Sequence, residues 1–323
     1  MGMVRKRLHI LLAVVIALTV NGAWGQRGGR SRRITSPETI QLDGGARVEF
    51  REFSSAALGG NAYYSAFLPP DYDQTPDKRY PVIYMLHGMN NDHTTWTRSR
   101  YDNIPLLVAN LLKSNDTLPF VMVHPYGENP FYTDYSDGTK RYEEFIIQDL
   151  RTEIETNFRV KADRLNRSLA GTSLGGYAAL KLAMKHSDLY SSVAAGSPII
   201  LLGEDPSQLI LGSSSGAVRR FGGLFNPVFG TPFDQDHWMA NSIEVLARTA
   251  ELQDLNIYFS YGTADRYRTM FPMEKGLEVL DQILTERDIP HTMRIYQGEP
   301  HGWVLIQNHM GEVLEFLTQT FTR

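Results

Sequence analysis

Residues 167–185 constrain this chain more than any other stretch. Arg167-Ser-Leu-Ala-Gly171 has the composition of a short buried strand and Leu174 to Lys185 that of a helix. They are joined through Gly171-Thr172-Ser173-Leu174-Gly175. A strand that turns this sharply into a helix crowds its own backbone, and residues without Cβ fit beside the turn. The turn lifts the central serine hydroxyl above the sheet edge, and the helix aims its positive N-terminal end at charge developing on a bound carbonyl. This is the context that a nucleophile elbow requires, and it makes Ser173 the candidate nucleophile.

Short β-rich runs alternate with longer helical ones on both sides of that junction. Strands are predicted over Arg47–Phe53, Ala62–Leu68, Val82–Leu86, Phe120–His124, Arg167–Gly171, Ser191–Ala195, Ile257–Tyr261 and Thr292–Tyr296. Helices are predicted over Ile104–Lys113, Arg141–Phe158, Leu174–Lys185, Ala240–Glu251, Met273–Arg287 and Val304–Thr320. From Val82 onward the strands are almost continuously apolar, as expected of a parallel sheet covered by helices on both faces. The two earlier strands precede any helix and are expected to form an antiparallel edge. The fold class is therefore α/β, with a mostly parallel central sheet. Only Ile199–Trp238 resists a regular reading, and an irregular stretch of that length is expected to be a lid-like insertion.

The N-terminus carries Arg5, Lys6 and Arg7, an apolar run from Ile10 to Val20, and the small-x-small triplet Ala23-Trp24-Gly25. Residues 1–25 are thus expected to be a cleaved export signal, with 26–37 a polar, flexible lead-in and 38–323 the folded domain, secreted or periplasmic. The apolar run is interrupted by Thr19 and Asn21, short of the roughly 20 residues a membrane span needs. Cleavage would leave 29 basic against 36 acidic residues, a formal −7. That balance gives no sign of the basic face a nucleic-acid binder requires, so no nucleic-acid partner is expected. The chain has no cysteine, which removes thiol nucleophiles and thiolate metal sites.

A serine hydroxyl needs a base, and in this topology the partners follow in the order serine, acid, histidine. His301 lies in the turn-rich Gly298-Glu-Pro-His-Gly302 between the last predicted strand and helix, whereas His186, His237, His291 and His309 fall in or beside helical or irregular stretches. Asp265 follows the strand Ile257–Tyr261 directly. Asp254 and Asp281 sit at a strand's start and within a helix, and Asp234 and Asp236 stand in reserve. The oxyanion donors are expected from the backbone N–H of Leu174 and, in His87-Gly88-Met89, that of Met89. His87 is read as structural. No metal-ligand spacing is present, so neither metal nor cofactor is expected. Trp96, Tyr101, Tyr126, Phe131, Tyr132, Tyr135, Trp238 and Trp303 crowd the loops, and Trp303, Trp96 and Trp238 are the candidate substrate contacts.

Tyr80-Pro-Val-Ile-Tyr-Met-Leu-His-Gly88, Ala170-Gly-Thr-Ser-Leu-Gly-Gly-Tyr-Ala-Ala-Leu180, Gly262-Thr-Ala-Asp265 and His301-Gly-Trp303 together resemble one family. It is the esterase family of α/β-hydrolases that includes esterase D, bacterial feruloyl esterases and the mycolyltransferase antigens. With Phe67-Leu-Pro-Pro-Asp-Tyr72, the likeness extends from about Ala62 to the C-terminus. The resemblance implies an α/β-hydrolase fold, a triad of Ser173, Asp265 and His301, and hydrolysis of carboxylic esters through an acyl-enzyme. An exported member is expected to act on feruloyl or acetyl esters of carbohydrates, taking a small-molecule or polysaccharide substrate. Acyl transfer to a sugar, peptide hydrolysis and non-catalytic carbohydrate binding are the competing readings. The Ile199–Trp238 stretch matches no part of the family pattern.

Overall fold

The computed structural model describes residues 39–97, 103–114, 118–129, 131–206, 216–268, 271 and 273–322. The expected export signal and lead-in, residues 1–37, fall wholly outside these residues, as does Tyr101. The strands are β1 (Thr39–Gln41), β2 (Arg47–Ser55), β3 (Gly60–Leu68), β4 (Val82–Leu86), β5 (Val121–Pro125), β6 (Arg167–Thr172), β7 (Ser192–Gly196), β8 (Asn256–Gly262) and β9 (His291–Tyr296). They form one sheet in the order β1-β2-β3-β5-β4-β6-β7-β8-β9. The first three pair antiparallel, and β3 joins β5 antiparallel. From β5 to β9 every pairing is parallel. The antiparallel N-terminal edge and the parallel core thus both stand as expected. Of the strands, β1 is the addition: three residues are too few for periodicity to register.

Alternation along β4 shows how the sheet divides the core. Val82, Tyr84 and Leu86 enter one buried cluster, and Ile83 and Met85 enter the other. The second cluster lies under α1 (Ile104–Ser114) and α8 (Trp303–Thr318), through Ile104, Val108, Ile306, Met310 and Leu314. The first receives α2, a helical run made of Tyr142–Glu144, the π-helical Phe145–Leu150 and Arg151–Asn157. It also receives α3 (Leu174–Lys185), α6 (Ile243–Thr249) and α7 (Met273–Glu286). Helices therefore cover both faces, as the continuously apolar strands require. Among the described residues, no helix is long and apolar enough to cross a membrane.

The structure corrects the reading of Ile199–Trp238 as irregular. Its described part folds mainly into α4 (Gly216–Phe229), which carries Pro227 inside it, and α5 (Gln235–Met239). Phe225 packs 4.5 Å from Phe229, and Phe221 5.3 Å from Phe131 on the loop after β5 (centroid distances). Aromatic burial sustains a helix whose glycines and proline disfavour it. The helix predicted from Ala240 starts late, at Ile243, because Asn241 and Ser242 turn the chain: their N–H groups donate to Trp238 O and Met239 O.

Candidate active site

The turn from β6 into α3 presses backbone against backbone. A Cβ at Gly171 would come within 2.1 Å of Gly175 O, and one at Gly175 within 2.3 Å of Leu86 O. Ser173, between them, is held at φ 58°, ψ −124°, a conformation L residues rarely adopt. It is anchored by its N–H donating to Gly196 O at 2.9 Å. Leu174 is the first residue of α3, where an N–H has no intrahelical partner and remains available to a ligand.

Asp265 and His301 meet across two loops that are themselves joined. Thr263 N–H donates to Tyr296 O at 2.9 Å, Ala264 N–H to Glu299 O at 3.1 Å, and Gly298 N–H to Thr263 Oγ1 at 2.9 Å. Gly262 is needed there, since a Cβ would lie 2.0 Å from Glu299 O. On this scaffold, His301 Nδ1 donates to Asp265 Oδ2 at 2.6 Å. Tyr267 N–H donates to Asp265 Oδ1 at 2.8 Å. The Asp265 side chain is fully buried and that of His301 is 13% exposed. Burial opposes ionisation of Asp265, but the hydrogen bond and charge of His301 and the Tyr267 N–H together outweigh it and hold the carboxyl below its ordinary range.

The loop after β4 passes directly against the serine: a Cβ on Gly88 would stand 3.1 Å from both Ser173 Cβ and Thr172 O. Met89 follows, half-buried, and Asn90 turns the chain at φ 64°. His87 fixes this loop from below. Gly127 N–H donates to its Nε2 at 3.0 Å, so Nδ1 carries the proton and donates to Gly88 O at 2.9 Å. Burial lowers the His87 pKa to about 4, against smaller opposing effects of the Gly88 bond and Asp92. A neutral, doubly bonded imidazole is a brace, in keeping with the structural reading of His87.

The Esterase family model matches residues 55–305. The chain belongs to the Esterase family. An esterase of Mycobacterium tuberculosis is 29% identical over 260 residues, covering 76% of this chain and 54% of that protein. The chain thus spans about half the length of that curated relative. In fold it is similar to a ferulic acid esterase (TM-score 0.69, 23% identity, 86% of this chain and 99% of that one). It is also similar to an S-formylglutathione hydrolase from Agrobacterium tumefaciens (TM-score 0.67, 20% identity, 89% of this chain and 99% of that one). These likenesses agree with an α/β-hydrolase fold.

Two of the three tryptophans singled out as substrate contacts do not reach solvent. Trp96 is fully buried and stacks on His124 at 5.1 Å between centroids. Trp238 is also buried, packs against Phe225 and Phe229, and donates from Nε1 to Gly203 O at 2.9 Å. Both are packing anchors, a correction to their expected role at the substrate. Trp303 opens α8, and its side chain lies outside what is described. Phe131 and Tyr132 are likewise buried, whereas Tyr126 and Tyr135 remain partly exposed. The reserve acid Asp234 is occupied elsewhere, its Oδ1 capping α5 by accepting from His237 N–H at 2.9 Å. Tyr267 was missed: its sole signal in the sequence is that it stands two residues after Asp265. Its ring lies against the imidazole of His301.

Proposed function

We propose that this esterase hydrolyses carboxylic esters through an acyl-enzyme on Ser173, with His301 as base and Asp265 as its orienting acid. The observation that carries the reading is the 2.6 Å bond from His301 Nδ1 to the buried Asp265 carboxylate. With Nδ1 so occupied, the lone pair of Nε2 is the ring's available base. Ser173 Oγ attacks the ester carbonyl while Nε2 takes its proton, and the imidazolium that forms is stabilised by Asp265. The tetrahedral oxyanion accepts hydrogen bonds from Leu174 N–H and Met89 N–H. Collapse of the intermediate expels the alcohol, which leaves with the proton held on Nε2. Water, deprotonated by the same nitrogen, then attacks the acyl group and frees Ser173.

Feruloyl or acetyl esters of carbohydrates are the substrates we assign to it, outside the cytoplasm. Supporting this are the basic, apolar and small-x-small pattern of residues 1–25 and the likeness in fold to a ferulic acid esterase. Purified protein offered p-nitrophenyl acetate, methyl ferulate and S-formylglutathione tests both parts. Turnover of the first two that disappears in Ser173→Ala supports the proposal. Turnover unchanged by that substitution refutes the nucleophile, and a clear preference for the thioester refutes the substrate class.

A further inference from the structure

Tyr267 contacts both members of the acid–base pair. Its backbone N–H bonds Asp265 Oδ1, and its ring meets the imidazole of His301 at 80° with centroids 4.6 Å apart. The ring is itself held: Arg266 Nη2 donates to the hydroxyl at 2.9 Å, and the Arg266 guanidinium carbon lies 4.8 Å from the ring centre. Phe271 stands 6.0 Å from Tyr267, and Phe221 of α4 stands 4.9 Å from Phe271. Phe221 continues to Phe131, which lies 5.6 Å from Tyr177. Tyr177 N–H bonds the carbonyl of Ser173 at 3.0 Å. An unbroken arc of rings therefore runs from the histidine, through the inserted helix, to the helix that begins at the serine.

We propose that Tyr267 is a positioning residue for His301, set in place through Phe271 by Phe221 of the insertion. This rests on the triad reading above. One hydrogen bond at Nδ1 fixes a point on the imidazole but leaves the ring free to tilt about it, and tilt redirects the Nε2 lone pair. An edge-to-face ring contact removes that freedom, because such pairs have a preferred geometry. Misplacement by about 1 Å is enough to lower a rate by roughly a hundredfold. The two contributions of Tyr267 separate cleanly: replacing the side chain deletes the ring and leaves the N–H bond to Asp265.

The full chain with 15N-labelled histidine, as wild type and as Tyr267→Ala, Tyr267→Phe and Phe221→Leu, tests this. Each folded variant is compared by the low-field proton resonance of His301 Nδ1–H, assigned by its loss in His301→Gln, and by kcat and KM on p-nitrophenyl acetate. Tyr267→Ala is expected to shift or broaden the resonance and lower kcat by about 10- to 100-fold, with KM altered by less than about threefold. Tyr267→Phe restores both, and Phe221→Leu falls between. A resonance unmoved in Tyr267→Ala overturns the proposal, as does equal damage from Tyr267→Phe. A Phe221→Leu variant identical to wild type overturns the part assigned to the insertion. If turnover instead survives Ser173→Ala, the triad reading fails, while the resonance still decides whether Tyr267 orients the imidazole.

Discussion

The turn from β6 to α3 and the insertion carrying α4 and α5 lie on the same side of the sheet but are specified in different ways. The turn is local: Gly171 and Gly175 are dictated by backbone atoms that an added Cβ would meet at under 2.5 Å, and Ser173 is held between them at a positive φ. The insertion is held from a distance. α4 contains glycines and a proline, and its stability comes from Phe221, Phe225 and Phe229 packing with Phe131 and Trp238. A site can therefore take its chemistry from a short motif and part of its rigidity from a segment with no motif at all.

The largest expected effect falls on the local side. Ser173→Ala and His301→Ala should each lower kcat on an activated ester by at least about 10⁴-fold without unfolding the protein, and steady-state kinetics beside a melting curve checks both. If either keeps more than about a tenth of the activity, the asymmetry between the regions disappears. Next in size is Gly175→Ala. Its Cβ would meet Leu86 O at 2.3 Å and His87 O at 2.6 Å, both backbone atoms with little room to move. Urea unfolding should show a loss above about 4 kcal/mol or no folded protein, and a loss under about 1 kcal/mol would mean that the elbow is not tightly specified.

On the distant side, Phe225→Ala should cost about 3–5 kcal/mol of stability, since the ring is buried among five aromatic neighbours. Activity per folded molecule should fall far less than in Ser173→Ala. The smallest effect per group comes from acid. Burial holds the pKa of His87 at about 4 and that of His124 at about 3, both below the ordinary 6.5. Below pH 6.5 the unfolded chain takes up protons that the fold refuses. Stability is therefore full above pH 6.5 and declines as pH falls through about 4, by on the order of 2–3 kcal/mol per histidine. Asp265, held low in the fold, adds to the loss at lower pH still. Urea midpoints between pH 7 and 4 follow this, and a flat profile would remove the buried histidines from the account.

The same division decides how much the sequence discloses. The bounds of β4 and α3 are readable to the residue, because apolar composition, the flanking glycines and helical spacing all act within a few positions. Asp265 and His301 are legible from chain order and from their places just beyond strands. Trp96 and Trp238 are not: an aromatic near a loop looks the same whether it packs inward or faces a ligand, and only the tertiary structure separates the two. Helix α4 is hidden for the same reason, since Gly222, Gly223 and Pro227 argue against it locally while aromatic partners distant in sequence support it. Tyr267 needs both kinds of information. Its N–H contact follows from its distance to Asp265, but its ring contact with His301 exists only after two loops have come together.

The central claim is that the hydroxyl at the elbow is the nucleophile, and peptide mapping after treatment with a fluorophosphonate tests it most directly. The account predicts a single covalent adduct on the peptide containing Ser173, absent from Ser173→Ala and formed far more slowly in His301→Ala. An adduct on another residue, or unlabelled Ser173 in a preparation that still turns over esters, would contradict it.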